Sequence, residues 1–314
     1  MKKTSDKKIL TFMQDVLYHI AFGVWYVLSI LPAWMHYAAS SVMAFLMYRV
    51  VRYRRKVVRK NLTASFPNMS KKELKDTEKR FYAHFCDIMV ESVMYFAISE
   101  KKIKERMQFK GLELLEESCK NGKSCGIFLG HYANWEWVSS LPVWVSLDRF
   151  KPVQLYHPLE NPIFDRLIGY TRSRMGGVNI PVNESLRHLV RYRKEGKSMV
   201  IGFIADQVPH WRNIHYWTNF LNHPETPVFT GAERLMRQFG MDVYYLDVQK
   251  LGRGRYVAEF KLISDNPNEV EEFGLTETYT RMLEETIMRQ PEYWLWSHNR
   301  WKRTKEEWIA RGCN

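Results

Sequence analysis

Metal and disulfide chemistry find few signatures in this chain. Its four cysteines, Cys86, Cys119, Cys125 and Cys313, include no C-x2-C pair and no regular framework. Reduced thiols in a cytosol-facing protein are therefore expected, rather than disulfides or a zinc site. H-E-x-x-H is absent, as are a P-loop, a G-x-G-x-x-G fingerprint and any internal repeat. Acidic residues are also in deficit, with 34 Asp and Glu against 47 Lys and Arg, a formal charge of +13. Such a surplus points to acidic partners: nucleic acid, anionic lipid, a phosphorylated substrate or an acidic carrier protein. No nucleic-acid recognition signature accompanies the charge. The 314 residues are 46% hydrophobic and 14% aromatic, which excludes a disordered protein and suffices for one large core or two modest ones.

The amino terminus carries Lys2, Lys3, Lys7 and Lys8, then an apolar stretch from Val16 to Leu31, Pro32, a second apolar stretch from Tyr37 to Val51, and the basic run Arg52 to Lys56. This pattern predicts a membrane anchor over residues 1–56. The first stretch falls short of the ~20 apolar residues of a full span and contains His19 and Gly23, which leaves one tilted span, a re-entrant hairpin or an interfacial helix pair open. Cationic flanks favour a cytoplasmic location for the residues after Arg52. A cleavable signal peptide ending near Ala38-Ala39-Ser40 is the rival reading, and the basic cluster beyond it disfavours export.

Residues 57–314 read as one domain. From Val57 to Lys110 the pattern is helical and charged, with Ser70 and Glu73 forming a capping box and Phe81, Phe85, Ile88, Met89 and Ser92 recurring at helical spacing as a core stripe. Over 111–314 apolar runs alternate with helical segments. Strands are expected at Cys125 to Leu129, Pro152 to Tyr156, Met199 to Phe203 and Val243 to Val248. Helices are expected at Asn161 to Arg174, Ser185 to Lys194, Gly231 to Phe239 and Glu277 to Arg289. This alternation indicates an α/β core with functional residues in loops at one edge of its sheet.

The stretch Ser124 to Trp137 places His131 directly after an apolar run and Glu136 five residues later. In one continuous helix that separation rotates the side chains apart by about 140°. A strand, a sharp turn at Gly130 and a helix opening at Asn134 would instead let Glu136 reach one imidazole nitrogen, leaving the other free to take a proton from a substrate hydroxyl or amine. Spacing alone also fits a histidine that is merely satisfied within its loop. Arg172, at the end of the helix opened by Asn161-Pro162, can clamp a phosphate or can simply complement the helix dipole. Asp206 and Gln207 end a buried run where a strand would meet a cleft. Gly231 opens a helix whose free N–H groups suit an oxyanion or a phosphate, and a plain N-cap at Thr230 is the alternative reading. His210 to Trp217 is aromatic and basic, as is the tail Tyr293 to Lys302, which suits a core strand or a membrane-facing lip.

In this order the blocks resemble the lysophospholipid-type acyltransferase superfamily, and more narrowly the late acyltransferases of bacterial lipid A biosynthesis. The resemblance rests on Tyr53 to Leu62, Ser65-Phe66-Pro67, Gly130-His131 through Glu136, Asn161-Pro162 with Arg172 and Gly176, Ala205-Asp206-Gln207, and Trp294 to Lys302, where the family more often has arginine at the position of Asn299. It implies a glycerolipid acyltransferase-like mixed sheet flanked by helices, with an N-terminal anchoring helical segment. It further implies acyl transfer from acyl carrier protein or acyl-CoA to a hydroxyl of a phosphorylated lipid A precursor, at the cytoplasmic face of the bacterial inner membrane, with no cofactor or metal and no nucleic acid. In that reading His131 is the base and Glu136 stabilises the imidazolium. Arg172, Asp206, Gln207, Asn134 and Gly231 serve the substrates. Acylation of another membrane lipid, an aminolipid or lysophospholipid, or a non-catalytic lipid-binding role are the alternatives.

Overall fold

The computed structural model describes residues 2–146 and 150–312, with side chains from Met13 onward; Cys313 lies outside the described residues. The amino-terminal segment forms helices α1 (Lys2–Ser29) and α2 (Ala33–Phe45), the latter prolonged by a π turn, Leu46–Val50. Pro32 sits at the break. Among the described residues no single helix is long and apolar enough to cross a membrane; Met13–Ser29 and Ala33–Val50 meet that test only as a pair, bent by 103°. α1 is fastened to the rest of the chain by Phe22, whose ring lies 4.8 Å from Phe96 and 5.1 Å from Tyr170. Its other side leaves Ile20, Val24 and Val27 exposed, and α2 leaves Trp34, Val42 and Phe45 exposed.

Next come α3 (Arg55–Ser65), α4 (Lys71–Tyr95) and α5 (Glu100–Arg106). The capping box forms as the sequence predicts: Ser70 Oγ accepts from Glu73 N, and Glu73 returns a carboxylate to Ser70 N. Phe81 and Ile88 of the expected stripe are buried, while Met89 is exposed. α4 also buries polar residues that no apolar periodicity announces: Glu78, His84, Asp87 and Glu91.

The remaining elements are β1 (Met107–Lys110), α6 (Leu112–Lys120), β2 (Cys125–Leu129), β3 (Phe150–Tyr156), α7 (Pro162–Ser173), β4 (Val178–Pro181), α8 (Ser185–Lys194), β5 (Ser198–Ile204), β6 (Tyr216–Phe220), β7 (His223–Val228), α9 (Gly231–Phe239), β8 (Asp242–Gly252), β9 (Arg255–Ser264), α10 (Gly274–Arg289) and α11 (Lys305–Ala310). Seven strands make one sheet in the order β1-β9-β8-β2-β5-β3-β4, and β6 pairs with β7 in a separate hairpin. Only β8 and β9 pair antiparallel within the large sheet, so the expected mixed sheet is present.

β2 lies at the centre, and all five of its residues are buried, as a strand covered on both faces requires. Its even positions meet α9 and α10: a Cβ on Gly126 would fall 2.6 Å from Met236, and Phe128 stacks on Tyr279 at 4.6 Å. Its odd positions, Ile127 and Leu129, face the 3-10 turn Trp137–Val143 across a cavity. The helix expected after Asn134 is therefore a 3-10 turn, with Pro142 inside it.

Candidate active site

β2 and β5 are parallel neighbours whose register sets Leu129 beside Ile204. Two residues past each stands a polar side chain, His131 on one strand and Asp206 on the other, so the register alone brings them together at the carboxyl edge of the sheet. His131 Nδ1 lies 2.6 Å from Asp206 Oδ1, and the His131 backbone N–H donates to Asp206 Oδ2 at 2.8 Å. Trp294 Nε1–H donates to the same Oδ2, also at 2.8 Å. Burial would push the Asp206 carboxyl up, but the imidazole beside it, the His131 and Trp294 hydrogen bonds and the backbone donor outweigh this and hold it below the usual carboxylate range. An ionised Asp206 requires a hydrogen on Nδ1, which leaves the Nε2 lone pair as the basic site. Gln207 Nε2 is 3.3 Å from that Nε2, and the Trp135 ring stands edge-on to the imidazole at 5.2 Å.

Spacing points to Glu136 as the partner of His131; in the structure the imidazole bonds Asp206 and Glu136 bonds Arg172. Glu136 is held by Arg172 through two parallel hydrogen bonds, Nη2 to Oε1 at 2.8 Å and Nε to Oε2 at 3.1 Å. A guanidinium fork satisfies both carboxylate oxygens at once, and Asp206 already fills Nδ1 of the histidine. Burial opposes the charge on Arg172, but Glu136 more than compensates and holds it above its ordinary value. Asp206, expected to shape the cleft, thus occupies the orienting position. Arg172, expected to take a phosphate, is bound to a carboxylate.

Gly130 also acts differently from expectation. It does not adopt a positive φ; Ala133 does, at +49°. Glycine at 130 leaves room for α10: a Cβ there would sit 2.6 Å from Leu283 Cδ1, so that side chain would have to shift. Asn134 is fully buried and donates to Glu91 Oε2 at 2.7 Å while accepting from Trp137 N at 3.0 Å, which removes it from the substrate-facing set. Gly231 opens α9, and no described hydrogen bond joins it to His131. Among the described residues no group of three His, Cys, Asp or Glu side chains gathers as metal ligands would.

The tail expected as a core strand or membrane lip is irregular, with Trp294, Trp296, Ser297 and Arg300 buried. Trp294 forms a bridge with Tyr132, and Trp296 is wholly buried. Asn61 Nδ2 clamps the tail by donating to the carbonyls of Trp296 and His298. Arg300 is buried as well and donates Nη2–H to the Pro227 carbonyl at 2.7 Å; its pKa is lowered to about 10, chiefly by burial.

Near the dyad, Glu136 and Arg172 help line a mostly apolar cavity of about 120 Å³. Its walls are Ile127 and Leu129 of β2, Val153 and Leu155 of β3, Val200 and Ile204 of β5, and Val138 and Leu141 of the 3-10 turn.

A family model described as bacterial lipid A biosynthesis acyltransferase matches residues 3–303. The chain belongs to that family. Among curated relatives it is 25% identical over 184 residues to lipid A biosynthesis acyltransferase 2 of Shigella flexneri, covering 56% of this chain and 57% of the relative. It is 23% identical over 137 residues to a lipid A biosynthesis myristoyltransferase of Escherichia coli strain K12, covering 43% and 41%. A lipid A biosynthesis acyltransferase of Haemophilus influenzae is 21% identical over 262 residues, 82% of this chain and 81% of its own length. The first two alignments thus span about half of each relative. The family match runs through every block of the dyad, the Glu136–Arg172 pair and the Trp294 tail.

Proposed function

We propose that this protein is a membrane-associated acyltransferase that moves a fatty acyl chain from an acyl thioester, carried by acyl carrier protein or coenzyme A, to a hydroxyl of a lipid A precursor. The observation that carries the reading is the His131–Asp206 pair, 2.6 Å apart at the sheet edge of a chain matched almost end to end by this family. His131 Nε2 takes the proton of the acceptor hydroxyl as its oxygen attacks the thioester carbonyl. Asp206 holds the ring and stabilises the imidazolium, which returns the proton to the departing thiolate. The apolar cavity receives the acyl chain, and the pairing of Glu136 with Arg172 leaves no net charge from these two in its lining. The cationic surplus suits an acidic carrier protein and a phosphorylated lipid, and the exposed apolar side of α1 and α2 suits the cytoplasmic face of the inner membrane.

The test is transfer of labelled acyl chain from acyl carrier protein or coenzyme A to a purified lipid A precursor. Wild type is expected to transfer and His131→Ala to lose at least about 10²-fold in rate. Equal transfer by both would refute the base assignment. Transfer only to an aminolipid or lysophospholipid would move the acceptor to that class.

A further inference from the structure

The loop between His131 and Trp137 carries both the base and Glu136; the tail anchors it through the Ala133 N–H to the Tyr293 carbonyl at 3.0 Å, and α4 anchors it from the other side. Glu91 of α4 is fully buried and stands where three parts of the fold meet. Its Oε2 accepts from Asn134 of the loop at 2.7 Å and from the Tyr256 hydroxyl of β9 at 2.8 Å. Its Oε1 accepts from the Tyr37 hydroxyl of α2 at 3.1 Å, and its backbone carbonyl accepts from Trp137 Nε1 at 3.1 Å. Two helical turns earlier, His84 grips the same loop: its Nε2 lies 3.2 Å from the Ala133 carbonyl, and its Nδ1 lies 3.2 Å from Lys250 Nζ. Burial and Lys250 keep His84 well below its ordinary value, so the ring is neutral, donates from Nε2 and accepts at Nδ1.

Ala133, the residue so gripped, is in the left-handed region at φ +49°. A non-glycine residue there persists only where its surroundings over-determine it. Asn134 supplies the link: one end of its amide is fixed by Glu91 and the other caps the N–H of Trp137.

We propose that Glu91 is a positioning residue of the active site, acting through Asn134 and Trp137 to set the loop that carries His131 and Glu136. The inference rests on the acyltransferase reading above. Nothing in the mechanism requires Glu91 to touch substrate, and a buried carboxylate that only filled space would have been replaced at less cost by an apolar side chain.

Four variants assayed as full-length protein with an acyl thioester and a lipid A precursor test it. Glu91→Ala is expected to lower kcat by about 10- to 100-fold with KM within about threefold, because loop misplacement is felt at the transition state. Glu91→Gln is expected to keep kcat within about threefold, since its amide can serve Asn134, Tyr256 and Tyr37. Burial pushes the Glu91 carboxyl up to about 7, so Asn134→Asp is expected to lower kcat at pH ~8.5, where Glu91 is ionised and two facing carboxylates repel. The double variant Glu91→Gln with Asn134→Asp re-creates the amide-to-carboxylate bond in reverse and is expected to restore kcat. A residue of purely structural importance would not show that rescue at unchanged KM. If Glu91→Ala fails to fold, the Asn134→Asp pair carries the test. Wild-type kcat in Asn134→Asp, or a folded double variant without recovery, would overturn the proposal. Absence of transfer by the wild type on every acceptor would instead sink the acyltransferase reading beneath it.

Discussion

His131 and Glu136 sit five residues apart in sequence, whereas His131 and Asp206 meet in space at the ends of neighbouring strands, and the proposed mechanism rests on the second relation. Asp206 receives three hydrogen bonds from His131 and Trp294, which together with the imidazole outweigh the cost of its burial, so it remains charged at neutral pH and fixes one tautomer. Asp206→Asn should therefore lower kcat by about 10³- to 10⁴-fold, in line with the cost of a wrong tautomer in other histidine-carboxylate pairs. Glu136→Gln should cost far less in kcat and act on KM for the acyl donor. Steady-state kinetics of the two variants decides between the partners, and a larger kcat loss in Glu136→Gln would restore Glu136 as orienter. Because the folded state holds Asp206 below its ordinary 3.8, the pair's contribution to stability is present above that value and is lost as pH falls through the folded one.

At the level of elements, β2 is the piece on which the site depends, since it carries the loop and packs helices on one face and the cavity on the other. Gly130→Ala should destabilise the fold by about 1 to 3 kcal/mol, because its new methyl meets Leu283 of a packed helix. Thermal unfolding measures this, and an unchanged midpoint would show that α10 yields freely. The central strands β2, β3, β5 and β8 are legible as apolar runs, and the helices α7, α8 and α9 as periodic segments within a residue or so of their ends. β1 and β4 are not, because edge strands of four residues carry too little pattern, and β4 ends in Pro181. β9 reads as a half-polar stretch, Arg255 to Ser264, that alternates only in part. The β6–β7 hairpin turns on Leu221 and Asn222, both at positive φ, without the glycine that usually marks such a turn. In the site, His131, Glu136, Arg172, Asp206 and Gln207 stand out as residues, but their pairing does not: strand register decides it, and register is not visible along one chain. Glu91 and His84 escape notice because a buried polar residue inside a helix has no local signature.

For the whole molecule, the α1–α2 pair sets an exposed apolar surface beside a domain in a chain whose net charge is +13. Aspartate in place of Val24, Val27 and Phe45 together should weaken binding to anionic vesicles by at least about tenfold. Vesicle flotation reads this directly, and undiminished binding would place the lipid contact on another surface. Those three side chains are exposed on α1 and α2 and are not part of the cavity lining, so the same variant should keep its acyl transfer in detergent.

The central claim is that His131, oriented by Asp206, acylates a lipid A precursor, and the most direct measurement is mass spectrometry of lipid A from a strain lacking this protein. The deletion is expected to remove one acyl chain, wild type and Glu136→Gln to restore it in whole or in part, and His131→Ala and Asp206→Asn to leave it missing. Lipid A unchanged by the deletion, or fully restored by His131→Ala, would contradict the claim.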